Sequence, residues 1–181
     1  MKFIPVNRPL ITKMEADSVA KCIKSGWISG DGPYVKKFEK EFAKTVSRKY
    51  AITVSNGTAA LDIAIKSINI KKGEEVIVPA FTIISCLHQI VRQGGKPVLI
   101  DSDPMTWNMD VSKIEKKITK KTKAIMLVHT YGLPVDIDPI IKIAKKYNLI
   151  VIEDAAEQLG QFNKKKPIGV KKKGGYIKLT T

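Results

Sequence analysis

Two short segments, far apart along the chain, carry residue types that are suited to chemistry. Ser55-Asn56-Gly57-Thr58 opens a helical pattern, where backbone N–H groups and a hydroxyl can bind a phosphate. An ordinary helix N-cap is the alternative interpretation. Asp154 follows the apolar run 149–152, and a carboxylate there can bind a metal ion or pair with a protonated ring nitrogen. Together the two segments indicate a site for a phosphorylated ligand.

Other polar residues at predicted strand ends are less specific. A magnesium site of the Walker type needs a GxxxxGK[ST] loop, which the sequence lacks. Asp101-Ser102-Asp103 also follows a strand, but no second acidic cluster completes a magnesium site. We therefore predict no metal. His129 closes another strand, where it would serve either as a hydrogen-bonding loop residue or as a catalytic group.

The elements that position these residues alternate along the chain. Strands are predicted from short, apolar, β-branched runs at 51–54, 76–78, 97–100, 124–128 and 149–152. Helical spacing predicts helices at 13–24, 34–46, 59–68, 84–93, 111–118 and 139–147. Runs that are apolar throughout are typical of a parallel sheet covered on both faces. We expect an α/β fold with three layers, α/β/α, and a mainly parallel sheet.

The chain divides into three predicted parts. Residues 1–48 form an N-terminal helical segment, residues 49–169 form the main α/β portion, and residues 170–181 form a divergent tail. The tail contains Lys171-Lys172-Lys173 and a Gly-Gly pair, followed by the β-prone stretch 176–179. That stretch would be either a sixth strand or part of a frayed end, and we expect the frayed end.

Composition narrows the class of protein. The net charge is +15, but all basic residues except Arg8, Arg48 and Arg92 are Lys, spread over turns and helix faces. This distribution favours a Lys-rich surface that faces solvent over a surface that binds nucleic acid, although a Lys-rich nucleic-acid binder stays an alternative.

The two cysteines lack CxxC spacing, and no stretch is typical of an export signal or a membrane span. We expect a cytoplasmic protein with reduced thiols.

Several ordered motifs carry a resemblance to a known family. The sequence is similar to the DegT/DnrJ/EryC1/StrS aminotransferases over about residues 5 to 169, through motifs in the order Ser25-Gly26-Trp27-Ile28-Ser29, 54–61, 75–82, His129-Thr130-Tyr131-Gly132 and 152–157. The resemblance implies the large domain of a pyridoxal-phosphate-dependent transferase of fold type I. It implies amination of keto-sugar nucleotides, with glutamate as the expected amino donor, and a homodimer.

The resemblance also implies roles for individual residues. Gly57 and Thr58 would bind the cofactor phosphate, and Asp154 would pair with the pyridine nitrogen, which keeps the ring protonated and able to accept electrons. Glu157 would flank the cofactor. Ile83 stands where many relatives carry an aromatic ring stacked on the cofactor, so stacking would become aliphatic packing. On the substrate side the resemblance implies Trp27, His129 and Tyr131.

One part of the family pattern is not recognisable. In the family a strand after a Gly-Asp turn carries a Ser and then the Lys that binds the cofactor covalently. The lysines of 170–181 come too soon after Gly169 to match it, and no His follows His129 as in the related dehydratases. We identify no catalytic residue and expect a truncated N-terminal part without the small C-terminal domain, inactive alone. A pseudoenzyme that binds pyridoxal phosphate or a nucleotide is the alternative.

Overall fold

The computed structural model describes residues 3–5, 8–163, 166–167 and 176–179, with side chains described as far as residue 161. The predictions made for the Lys run 171–173 lie outside the described residues. None of the helices in the described part of the chain is long and apolar enough to cross a membrane.

Five α-helices and seven strands occur within the described residues. The helices are α1 Lys13–Ser25, α2 Pro33–Thr45, α3 Gly57–Ser67, α4 Ile84–Arg92 and α5 Ile137–Lys146. Short 3-10 turns lie at Val111–Lys113, Glu115–Lys117 and Thr130–Gly132. The strands are β1 Glu75–Pro79, β2 Lys96–Ile100, β3 Thr122–Val128, β4 Ile150–Asp154, β5 Phe162–Asn163, β6 Lys166–Pro167 and β7 Tyr176–Leu179.

Five of these strands form one sheet in the order β2-β1-β3-β4-β7. Every neighbouring pair in it is parallel. The remaining two, β5 and β6, form a small antiparallel pair. The prediction of a mainly parallel sheet is confirmed, and the carboxyl ends of β1, β3 and β4 therefore meet at one edge.

The sheet separates two apolar cores. Alternate residues of a strand point to opposite faces, so Val76 and Val78 pack with α3 and α4 residues such as Ile65 and Ile90. Ile77 belongs to the other core, which also contains Ile140 of α5. This arrangement explains why the strand sequences are apolar at nearly every position, and it confirms the three-layer prediction.

The predicted strand at 51–54 is wrong. The segment pairs with no strand among the residues that the structure describes, and Ile52 is 75% exposed. The backbone N–H and the hydroxyl of Thr53 donate instead to Oε1 of Glu39, at 2.8 and 2.7 Å. A β-prone sequence becomes a strand only when a neighbouring strand supplies a hydrogen-bonding ladder, and here a side chain of α2 takes that place.

Two further predictions are corrected. The frayed end expected at the tail is wrong for 176–179, because β7 pairs in parallel with β4 in a register that sets Lys178 opposite Glu153. The helix predicted at 111–118 is two 3-10 turns separated by Ile114, the first capped by Asp110, whose carboxylate accepts the N–H of Ser112. The other helices agree with prediction to within about two residues, the usual uncertainty of helix ends.

A pair of isoleucine substitutions tests the difference between the sheet and segment 51–54. Ile125 is fully buried in β3, so Ile125→Ala should lower the free energy of unfolding by about 2–5 kcal/mol. Ile52→Ala, the same change on the exposed segment, should alter it by less than about 0.5 kcal/mol. Urea denaturation of both variants measures the difference, and a large loss in Ile52→Ala would show that segment 51–54 is packed as a strand.

Candidate active site

A cavity opens at the edge of the sheet where β1, β3 and β4 end. Its volume is about 420 Å³. The lining comes from the segments that follow the three strands: Phe81, Thr82, Ile83, Val128, His129, Thr130, Tyr131, Asp154, Ala156 and Glu157. The structure thus brings together five of the residues predicted from sequence, namely Ile83, His129, Tyr131, Asp154 and Glu157.

Asp154 is the charged residue placed deepest in this site. It is the last residue of β4 and is only 6% exposed. Its Oδ1 accepts the backbone N–H of Ala156 at 3.1 Å, and its Oδ2 lies 3.5 Å from Sγ of Cys86, which donates to it. Burial raises the pKa of this carboxyl above its usual value, while these two donors lower it. The site therefore holds a carboxylate that would gain from a cationic partner.

The segment predicted to bind phosphate, residues 55–58, lies at the start of α3 and is called the phosphate seat below. Asn56 caps the helix, with its Oδ1 accepting the N–H of Ala59 at 2.9 Å. By helix geometry the N–H groups of Gly57 and Thr58 point beyond the helix end, where an anion is favoured. The helix-cap and phosphate-binding interpretations of this segment are compatible. The Asn56 cap accepts the N–H of Ala59 and leaves the N–H groups of Gly57 and Thr58 directed outward.

Helix α4 connects the phosphate seat with the carboxylate of Asp154. The hydroxyl of Thr58 lies 3.0 Å from the hydroxyl of Ser85 in the first turn of α4. The next residue, Cys86, is the one that contacts Asp154. Two consecutive residues of α4 therefore contact the two segments that the sequence singled out. No role at the site was predicted for Ser85 or Cys86. The sequence feature that could have indicated one is their position at the start of a helix that closely follows β1.

His129 is buried beside Asp154 with both ring nitrogens engaged. Its Nδ1 accepts the backbone N–H of Val135 at 3.0 Å, so that nitrogen carries no proton. Its Nε2 therefore carries the proton and donates to Oε1 of Glu153 at 2.9 Å. The ring orientation is fixed by these two contacts. Of the two roles considered for His129, the geometry favours the hydrogen-bonding one.

The mouth of the cavity is largely apolar and aromatic. Ile83 is the N-cap residue of α4, and it is 63% exposed on the cavity wall. Tyr131 has a left-handed backbone, with φ of 51°, and its ring lies 6.0 Å from that of Phe81. Phe81 also meets Trp107 at 5.4 Å. Exposed rings at this position could contact a ligand that extends out of the cavity.

Some predicted residues lie apart from the cavity. Trp27 is 54% exposed in the turn between α1 and α2, and the cavity lining does not include it. Asp103 accepts the N–H groups of Met105 and Thr106, which makes it a turn residue. Within the described ranges there is no cluster of three or more His, Cys, Asp or Glu residues that could hold a metal ion.

The fold and the site define a three-layer α/β protein with a ligand cavity at the carboxyl ends of its parallel strands. The chain belongs to the DegT/DnrJ/EryC1/StrS aminotransferase family, whose family model matches residues 9–177. This confirms the resemblance seen in the sequence.

Individual relatives support the same assignment. The chain is 50% identical to the GDP-perosamine synthase of Escherichia coli O157:H7 over 169 residues. These matched residues make up 93% of this chain and 46% of that protein. An aminotransferase from Psychrobacter cryohalolentis has a TM-score of 0.82 at 39% identity, over 89% of this chain and 41% of that one. The E. coli GDP-4-keto-6-deoxy-D-mannose-3-dehydratase with bound hydrated PLP has a TM-score of 0.84 at 31% identity, over 90% and 43%. The chain spans less than half the length of these relatives.

The buried carboxyl of Asp154 predicts a pH dependence of stability. Because its pKa is raised in the folded chain, Asp154 contributes stability below its ordinary pKa, near pH 4, that is lost as the pH rises through its raised value. Asp154→Asn removes this titration. The unfolding free energy of the wild type minus that of the variant should therefore fall with rising pH, as measured by urea denaturation. Asp17→Asn, at an exposed site in α1, is the control. A difference that grows with pH would contradict this account.

Proposed function

We propose that this chain forms the cofactor-binding part of a pyridoxal-phosphate-dependent aminotransferase that acts on keto-sugar nucleotides. The observation that carries the proposal is the buried Asp154 carboxylate, which faces a cavity and is linked through α4 to a helix N-terminus suited to phosphate. A carboxylate and an anion seat held together by one helix match a ligand with a cationic ring and a phosphate group.

The residues of the cavity fit this cofactor. Oγ1 of Thr130 is buried at the cavity and has no hydrogen-bond partner among the described residues, so a polar atom of a ligand could satisfy it. When bound, pyridoxal phosphate carries an amino group from donor to acceptor and accepts electrons from the carbon that loses its proton. Asp154 would hold the proton on the ring nitrogen, and Gly57 and Thr58 would bind the phosphate.

The remaining residues have proposed roles around that group. Ile83 would pack on one face of the ring, and Glu157 would flank it. His129, held by Glu153, would support the wall of the cavity, while Tyr131 and Trp27 would lie toward the substrate. Residues 49–169 would form the cofactor-binding portion, preceded by the helical segment 1–48.

The proposed substrates follow from the relatives. A GDP-perosamine synthase and a GDP-linked keto-sugar dehydratase are both similar to this chain, which supports a sugar nucleotide as the amino acceptor. Glutamate is the proposed amino donor. The net charge of +15 would attract anionic substrates of this kind. A cytoplasmic homodimer is the proposed state of the working protein.

Binding of pyridoxal phosphate tests the proposal at the two ends of the site. Loss of a hydrogen bond to a charged group costs about 1.5–3 kcal/mol, so Thr58→Ala and Asp154→Asn should each weaken binding by about tenfold or more. Absorbance titration of the full chain measures this affinity. Thr45→Ala and Asp17→Asn are the matched controls, since the hydroxyl of Thr45 donates to the carbonyl of Glu41 within its own helix and Asp17 lies in α1. Equal affinity in all variants would contradict the proposal.

Borohydride reduction separates an aminotransferase from a binding protein. Borohydride reduction of the chain in complex with pyridoxal phosphate, followed by peptide mapping, identifies any lysine that is covalently bound to the cofactor. A single labelled lysine supports transamination by this chain. Tight binding without a labelled lysine favours the alternative, a protein that binds the cofactor without turnover.

A further inference from the structure

Cys86 has a position that packing alone does not explain. It is fully buried among apolar side chains in the core between the sheet and helices α3 and α4. Its sulfur nevertheless lies 3.5 Å from Oδ2 of Asp154 and 3.5 Å from Oγ1 of Thr82. A side chain that only filled space would not need two polar contacts.

The directions of these hydrogen bonds follow from the groups themselves. Burial raises the pKa of the Cys86 thiol to about 12, so the sulfur keeps its proton at neutral pH. The thiol must therefore donate to the carboxylate of Asp154, and the hydroxyl of Thr82 donates to the sulfur. Thr82 lines the cavity, so this chain of donors runs from the cavity wall to the buried acid. Hydrogen bonds in such a chain polarise and strengthen one another.

The two oxygens of Asp154 are held by different elements. The Ala156 N–H, just after β4, binds Oδ1, while Cys86 of α4 binds Oδ2. Two donors from separate elements fix the plane of a carboxylate, whereas one donor leaves it free to rotate. The residue before Cys86 is Ser85, which contacts Thr58 of the phosphate seat. The same helical turn therefore sets both the orientation of the acid and its position relative to the seat.

We propose that Cys86 is a positioning residue for Asp154: its thiol, supported by Thr82, donates to the carboxylate and orients it toward the ring nitrogen of the cofactor. This assignment rests on the proposed function, because it names the group that Asp154 meets. The contact between Cys86 and Asp154 can nevertheless be tested without the cofactor.

The first test follows the titration of Asp154 itself. In the full chain with the aspartates labelled with ¹³C at the carboxyl carbon, NMR gives the pKa of Asp154, assigned by comparison with Asp154→Asn. Cys86→Ala removes the donor, so the pKa of Asp154 should rise above that of the wild type. Cys86→Ser keeps a donor, so its Asp154 pKa should stay below that of Cys86→Ala. Cys22→Ala, at the other cysteine, should leave the titration unchanged.

The second test follows cofactor affinity in the same proteins. Cys86→Ala should weaken binding of pyridoxal phosphate by about tenfold, and Cys86→Ser should restore most of it. Cys86→Val, which fills the space without a donor, should behave like Cys86→Ala. This variant separates loss of the hydrogen bond from loss of packing, and thermal denaturation of each protein confirms that it is folded.

The outcomes distinguish the two proposals. Identical Asp154 titrations in the wild type, Cys86→Ala and Cys86→Ser would overturn the role of Cys86. Unchanged cofactor affinity in Cys86→Ala and Cys86→Val would overturn it as well. A wild-type chain that shows the expected titrations but does not bind pyridoxal phosphate would overturn the proposed function instead.

Discussion

The buried carboxylate of Asp154 is the constraint on which the rest of the site depends. A charged group at the end of a core strand is unfavourable unless donors and a cationic partner compensate for lost solvation. The turn after β4 supplies one donor through Ala156, and α4 supplies the other through Cys86. The positions of strand, turn and helix are therefore coupled, since a shift of the turn or of the helix would remove one of the two donors to Asp154.

The parallel sheet makes that coupling possible. Because β1, β3 and β4 end at the same edge, the segments that follow them converge on one cavity. The start of α4 then contacts α3 through Ser85 and Thr58, and it contacts β4 through Cys86. The neighbouring pair of His129 and Glu153 fixes the adjoining wall with a second buried contact. The proposed phosphate seat and Asp154 are thus linked through contacts with two consecutive residues of α4, an arrangement that suits a site held by rigid elements.

Much of this could be predicted from the sequence, for identifiable reasons. Strands such as 124–128 are apolar throughout because both faces of the sheet are covered, and the seat and Asp154 stand out at element ends. Segment 51–54 could not be predicted correctly, because strand formation depends on a neighbouring chain as well as on local preference. The contact of Cys86 with Asp154 joins residues far apart in sequence, and only the packing of α4 on the sheet reveals it.

The pairing of Asp154 with a cofactor ring nitrogen is the central proposal for this site. The most direct measurement is ¹⁵N NMR of the full chain bound to pyridoxal phosphate labelled with ¹⁵N at the ring nitrogen. Pairing with Asp154 predicts a protonated ring nitrogen in the wild type at neutral pH, and loss of that proton in Asp154→Asn. An unprotonated ring nitrogen in the wild type, or the same signal in both proteins, would contradict it.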